Sequence, residues 1–446
     1  MTKKLISTNP SDGTYIGEVA ITSRAELTEM IATAKKSFEH WSTLSTWERA
    51  KIVTEAFESV APMQRDLAKL LSMEMGKSGG RSMGEVSGVI HSAEYFSHNV
   101  ADALKTEKIG MNTQIQYKPL GVVAVISPWN YPLAMAANLI IPALVAGNTV
   151  IFKPSEETPI VANELVAALN EYLPMGVLQV AHGGKEVGQN LVDGDVNLIA
   201  FTGSQNAGRD IMKRASGQLK RLIMELGGND PMIVMASADI ESAARFAVAS
   251  SFENTGQMCV STERIYVDES IAQQFEARVI AYASEYKVGP WDERGAKIGP
   301  LINDSQYKKV HSHIADAIAK GATLALGGEL LESPYVPATV LTEMTTDMLM
   351  ENEETFGPVV AIARYKNLDD AIARANNSDY ALGAVVFGAK EANDVASRLE
   401  AGMVSINQSV GGEGDSPWVG AKQSGFGYRG SRQGHQQFTQ IKVLSK

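Results

Sequence analysis

Cys259 is the only cysteine in a chain of 446 residues, and it sits in FENTGQMCVSTER (252–264), between a polar run and a hydroxyl-rich one. A lone thiol either packs as a small hydrophobe or acts as a nucleophile, and its neighbours decide between the two. Four other stretches carry groups that such a thiol could use. SPWNYP (127–132) brackets Trp129 and Asn130 between two prolines, which makes a rigid turn that presents an amide donor. Lys153-Pro154-Ser155-Glu156 places a cation and an anion just past an apolar run, although isolated loop charges are usually solvated. FTGSQNAGR (201–209) runs from a strand pattern through Gly203 and Ser204 into a helix start, where backbone amides can face a phosphate. MELGGND (224–230) holds Glu225 in an apolar surrounding, where a carboxyl is either satisfied by loop amides or held with a raised pKa, ready to act as a base.

Taken together, a thiolate, an amide donor for an oxyanion and a base are what attack on a carbonyl carbon requires. FTGSQNAGR is neither G-x-G-x-x-G nor a P-loop, since Arg209-Asp210 stands where Lys-Ser/Thr would be needed. By these motifs alone the nucleotide reading stays open.

The elements that must position these groups follow an α/β pattern. Strands are predicted at 121–127, 148–153, 176–181, 197–204 and 231–235, with helical patterns at Pro159–Tyr172 and Asn206–Ala215 between them. Further helices are predicted at Ile271–Tyr286, Gln306–Lys320, Asp369–Asn376 and Glu391–Glu400, so two α/β lobes are expected. The chain before Gly121 reads as mainly helical, except for the alternating arm Asn112–Lys118, which resembles the tail Gln437–Ser445. Two bare strand edges imply pairing between subunits.

Bulk properties exclude several classes. Acidic residues outnumber basic ones by 51 to 40, for a formal charge of −11, so bulk charge recruits neither nucleic acid nor anionic membrane. The most apolar region, Gly121–Phe152, is broken by prolines and asparagines and does not read as a bilayer span. No zinc-spaced cluster is present, and His311 and His313 read as solvated. One cysteine and no apolar leader fit a cytoplasmic protein.

SPWNYP, KPSEETP, FTGS, MELGGND, NTGQMC and EETFGPV (353–359), in this order, resemble the motif series of the aldehyde dehydrogenase superfamily, nearest in length and motifs to its bacterial succinate-semialdehyde-dehydrogenase-like members. The resemblance implies two Rossmann-like lobes with a β-hairpin oligomerisation arm. The cofactor domain would span 1–107 and 119–226, the catalytic domain 227–428, and the arm 108–118 and 429–446. It implies Cys259 as nucleophile, Asn130 as oxyanion donor and Glu225 as the base that hydrolyses the thioester, a residue that coenzyme-A-acylating members commonly lack. NAD, with NADP as the alternative, would lie against Trp129, Lys153, Ser155, Glu156, Gly203, Ser204, Leu226, Glu354 and Phe356. A homodimer or homotetramer acting on a small aldehyde is implied.

For the substrate tunnel the resemblance points to Met135, Asn138, Glu253 and Trp418. Relatives specific for succinate semialdehyde carry arginines where this chain has Asn138 and Glu253. With Val410-Gly411-Gly412 beside them, the expectation is an open tunnel suited to neutral or cationic aldehydes, unless Glu253 is paired or another arginine restores an anion site.

Overall fold

The structure is a computed structural model that describes residues 3–328 and 331–446; the first two residues of the expected cofactor segment lie outside it. Two sheets dominate. The first has six strands in the order Gly425–Phe426, Arg221–Glu225, Leu198–Thr202, Val122–Ile126, Thr149–Lys153 and Leu178–Val180, all parallel except the two-residue edge strand Gly425–Phe426. The second has seven strands, with Asp230–Val234 between Thr262–Asp268 and Gly383–Phe387, and Thr323–Leu326 as its antiparallel edge. Every residue of Val122–Ile126, Thr149–Lys153 and Leu198–Thr202 is buried, as continuous apolar runs covered by helices on both faces require.

Chain order in the first sheet reverses beside Val122–Ile126. Thr149–Lys153 and Leu178–Val180 extend to one side, Leu198–Thr202 and Arg221–Glu225 to the other. The crevice between the carboxyl ends of Val122–Ile126 and Leu198–Thr202 is therefore the switch point at which such sheets bind ligands. SPWNYP and FTGS are the two loops that leave it.

Two buried carboxylates hold helix starts that lack a side-chain cap of their own. Glu85 accepts the amides of Leu133 and Ala134 at 2.9 and 3.1 Å, and Glu74 those of Ile160 and Val161 at 3.0 and 2.8 Å. Both act on helices that begin at a proline, Pro132–Val145 and Pro159–Leu169.

Each strand and helix expected from 121 onward is present, shorter by a few residues at most ends. The arm forms a three-stranded antiparallel sheet, Thr439–Ser445 against Thr113–Pro119 against Glu107–Ile109. The mainly helical reading of the first 120 residues missed the hairpin Lys4–Thr8 with Tyr15–Ala20, whose turn at Gly13 has φ 72°. His313 is not solvated: it is 2% exposed, and its Nδ1 lies 3.2 Å from Thr355 Oγ1. It lies on the inward stripe of Asp304–Ala319 with Val310, Ile314 and Ala317.

Candidate active site

Glu225 ends the last parallel strand of the six-stranded sheet, and after a four-residue link the chain enters the seven-stranded sheet at Asp230. Cys259 lies just before Thr262–Asp268, so the thiol is at the amino edge of one sheet and the carboxylate at the carboxyl edge of the other. The link is tight, since a Cβ on Gly228 would sit 2.2 Å from the Cys259 carbonyl oxygen. The approach to the thiol is strained as well. Asn254, Thr255 and Gly256 all have positive φ (50°, 62° and 70°), and a Cβ on Gly256 would lie 2.0 Å from the Gly357 carbonyl oxygen.

A cavity of ≈ 470 Å³ gathers Trp129, Asn130, Met135, Gly203, Ser204, Glu225, Leu226, Cys259, Glu354, Phe356 and Trp418. Asn130 is fixed in its plane: its Nδ2 donates to the Gln257 carbonyl at 3.1 Å and its Oδ1 accepts the Tyr131 amide at 3.0 Å. One Nδ2 hydrogen remains for an oxyanion. Glu225 accepts Trp418 Nε1 at 3.4 Å through Oε1, while Oε2 is buried without a partner among the described residues. Burial raises the pKa of Glu225, and the positive charge of Arg429 opposes that rise. Burial first, then the charge of Glu225, pushes the Cys259 thiol well above its ordinary value.

A second cavity of ≈ 510 Å³ shares Pro128, Trp129, Thr202, Gly203 and Ser204 with the first, and adds Lys153, Ser155 and Glu156. Lys153 Nζ is buried and donates to the Pro154 carbonyl at 2.6 Å, with Glu156 at 3.4 Å. Ser204 caps the helix Gln205–Ser216 by accepting the Ala207 amide. A slot bounded by a half-exposed carboxylate, a buried ammonium and a helix start, and continuous with the thiol's cavity, fits a dinucleotide. Near the thiol, Glu354 accepts the Gly228 amide at 3.0 Å, and Phe356 packs edge-on to Trp129 with centroids 5.6 Å apart.

Several residues at the site were not singled out from sequence. Glu263 accepts the amides of Thr355 and Phe356 at 2.6 and 2.7 Å, and Gln306 Nε2 donates to both of their carbonyls at 2.9 Å, which fixes the Glu354 loop. Gln306 and Lys309 both line the thiol's cavity, and their three-residue spacing on a helix was a readable signal. Lys77 carried no such signal. Its buried Nζ bonds Glu85 at 2.7 Å and the Asn130 carbonyl at 2.6 Å, and lies 3.9 Å from the centroid of the Tyr131 ring.

The expected tunnel residues divide between two spaces. Met135 and Trp418 line the thiol's cavity, whereas Asn138 and Glu253 line an adjoining one of ≈ 550 Å³ on the far side of Tyr131. Glu253 is not a free charge there, because it forms an ion pair with Arg81 and accepts the Tyr131 hydroxyl at 3.1 Å. That removes the ground for expecting anionic aldehydes to be repelled. Val410 packs behind Cys259 with Val260, Leu382 and Met403.

Comparisons with known proteins give the family. Residues 1–444 match the model of the aldehyde dehydrogenase family, and the chain belongs to that family. Glutarate-semialdehyde dehydrogenase of Pseudomonas putida is 35% identical over 98% of this chain and 93% of its own length. An NADP(+) succinate-semialdehyde dehydrogenase of Escherichia coli is 34% identical over 98% and 93%. The crystal structure of betaine aldehyde dehydrogenase from Staphylococcus aureus in complex with NAD+ superposes with a TM-score of 0.94 at 30% identity, over 99% of this chain and 91% of that one. The chain is an aldehyde dehydrogenase. No helix among the described residues is long and apolar enough to cross a membrane.

Proposed function

We propose that the protein oxidises an aldehyde to a free carboxylic acid with NAD(P), through a covalent intermediate on Cys259 that is hydrolysed with Glu225 as base. The observation that carries this reading is the meeting of Cys259, the fixed Asn130 amide and the half-satisfied Glu225 in one cavity continuous with the dinucleotide slot. The Cys259 thiol gives its proton to solvent, the sulfur adds to the carbonyl carbon, and the oxygen that becomes negative is held by Asn130 Nδ2 and the Cys259 amide. NAD(P), held at its nicotinamide end by Trp129, Leu226, Glu354 and Phe356, would supply the acceptor for the hydride that leaves the substrate carbon. The thioester left on Cys259 is then cleaved by water that gives its proton to Glu225. Because burial raises the pKa of Glu225, it acts as a base only above that raised value, and hydrolysis climbs with pH through it.

Lys153, Ser155 and Glu156 bind the adenosine end, Gly203 and Ser204 the pyrophosphate, and Trp129, Leu226, Glu354 and Phe356 the nicotinamide end. Residues 1–107 and 119–226 form the cofactor domain, 227–428 the catalytic domain, and 108–118 with 429–446 the arm. NAD is preferred over NADP, since the Glu156 carboxylate on the slot's rim repels a 2′-phosphate. The arm's outer edges carry exposed Ile109, Ile441 and Val443, which supports assembly as a homodimer or homotetramer. The relatives named for succinate and glutarate semialdehydes make aldehydes with a distal carboxylate the first to test. Transfer of the acyl group to coenzyme A is the second reading, and the unpartnered oxygen of Glu225 favours water instead. An NAD(P)H absorbance assay over an aldehyde panel, with and without coenzyme A, tests the whole. Turnover that requires coenzyme A would reverse the hydrolytic reading, and no turnover with any aldehyde would end it.

A further inference from the structure

The segment that forms the edge of the six-stranded sheet returns to the active site twice. Gly425 pairs with Glu225, and a few residues on Arg429 forms an isolated antiparallel bridge with Trp418, whose amide donates to the Arg429 carbonyl at 2.8 Å. The bridge is close: Gly430 has φ 72°, and a Cβ there would lie 2.7 Å from the Ser416 carbonyl oxygen. It fixes two side chains relative to each other. The Arg429 guanidinium lies over the Trp418 ring, 5.0 Å from its centroid, and the indole Nε1 donates to Glu225 Oε1 at 3.4 Å. Arg429 is half-buried, forms no ion pair among the described residues, and its Nε has no hydrogen-bond partner there.

The titratable groups that face Glu225 from the seven-stranded sheet and its loops are Cys259, Asp230 and Glu354, and none of them supplies a positive charge. Lys309 lines the same cavity, and its charge acts on Glu354 and Glu263. Arg429 is the cation that opposes the effect of burial on Glu225. On its far side Arg429 meets Phe96, Val100, Ala137 and Ile141, the Asn138 amide, and His435, whose Nε2 is bound to Asp415 at 3.0 Å. The face of the indole covers the guanidinium and its polar edge holds the carboxylate, so the field of the cation reaches Glu225 through a medium less polarisable than water. We propose that Arg429 is a positioning residue for the hydrolytic step: placed against Trp418, its charge holds Glu225 as the carboxylate that draws a proton from the attacking water. The proposal rests on the hydrolytic reading above. Arg429 does not line the thiol's cavity, so it acts only through Trp418 and Glu225. Removing the cation leaves burial unopposed, and the pH above which Glu225 works as a base must then rise.

The test follows hydrolysis alone. p-Nitrophenyl acetate transfers its acetyl group to the Cys259 sulfur and releases p-nitrophenol, and water then cleaves the thioester to acetate. Timing the loss of the acetyl group by peptide mass analysis, from about pH 6 to pH 10, gives the deacylation rate without hydride transfer or cofactor release. Wild type is compared with Arg429→Lys, Arg429→Gln and Arg429→Glu. The midpoint of the pH profile should stay near that of wild type in Arg429→Lys, rise in Arg429→Gln and rise furthest in Arg429→Glu. At pH 7 Arg429→Gln should lose its acetyl group roughly 3- to 10-fold more slowly than wild type, with the high-pH plateau kept within about twofold. Each variant that folds has its own place in that order, and an order that departs from it overturns the proposal. So does a rate lost evenly at every pH, since Arg429 would then only hold the bridge to Trp418 together. Glu225→Gln checks the reading beneath: it should deacetylate slowly at every pH, and a rate equal to wild type would overturn the base assignment itself.

Discussion

The cofactor slot and the mouth beyond Tyr131, the ≈ 550 Å³ space that holds Asn138 and Glu253, both adjoin the thiol's cavity, yet they are built in opposite ways. In the slot the charged pair, Lys153 and Glu156, is three residues apart on one loop, and the walls are the ends of adjacent parallel strands. In the mouth Glu85 is held by Lys77 and Arg81 by Glu253. The part of the site common to any aldehyde is set by local backbone geometry at a sheet's switch point. The mouth is shaped in part by a pairing between distant segments, Arg81 with Glu253.

Substitutions can break that contrast at either end. Cys259→Ala should have the largest effect, a loss of turnover of roughly four orders of magnitude or more, with cofactor binding retained because the dinucleotide contacts lie in the slot. Equilibrium fluorescence titration with NADH against steady-state assays checks both halves. Lys77→Met comes next. It leaves Glu85 buried without its partner, which costs about 3–5 kcal/mol of stability, and it frees the Asn130 carbonyl, so kcat should fall about tenfold. Thermal unfolding together with the double variant Lys77→Met/Glu85→Gln, which should recover part of the stability, separates the two effects. Glu156→Gln is the smallest: removing a half-exposed charge from the rim should raise the NADP-to-NAD ratio of kcat/KM by roughly tenfold. If it moved aldehyde preference instead, slot and mouth would not be the separate devices described here.

The same contrast accounts for what could be read from sequence. The parallel strands announced themselves as apolar runs, and Asn130, Lys153, Ser204 and Glu225 stand at or just past the ends of such runs, where an α/β sheet offers its ligand edge. The hairpin Lys4–Thr8 with Tyr15–Ala20 was missed because its residues are mostly exposed and carry no buried stripe. His313 was misplaced because a histidine on the inward face of a helix looks polar until its neighbours Val310, Ile314 and Ala317 are counted with it. The partner of Glu253 stays unnamed in the sequence since Arg81 is far from it there, and only folding brings the two together.

The central claim is the division of labour between Cys259 and Glu225, and the most direct measurement is rapid mixing of the Glu225→Gln enzyme with NAD and aldehyde, followed by acid quench, digestion and peptide mass analysis. The account expects a burst of about one NADH per active site, slow turnover thereafter, and an acyl adduct on the peptide that contains Cys259. Equal loss of burst and steady-state rates, with no adduct on Cys259, would contradict it.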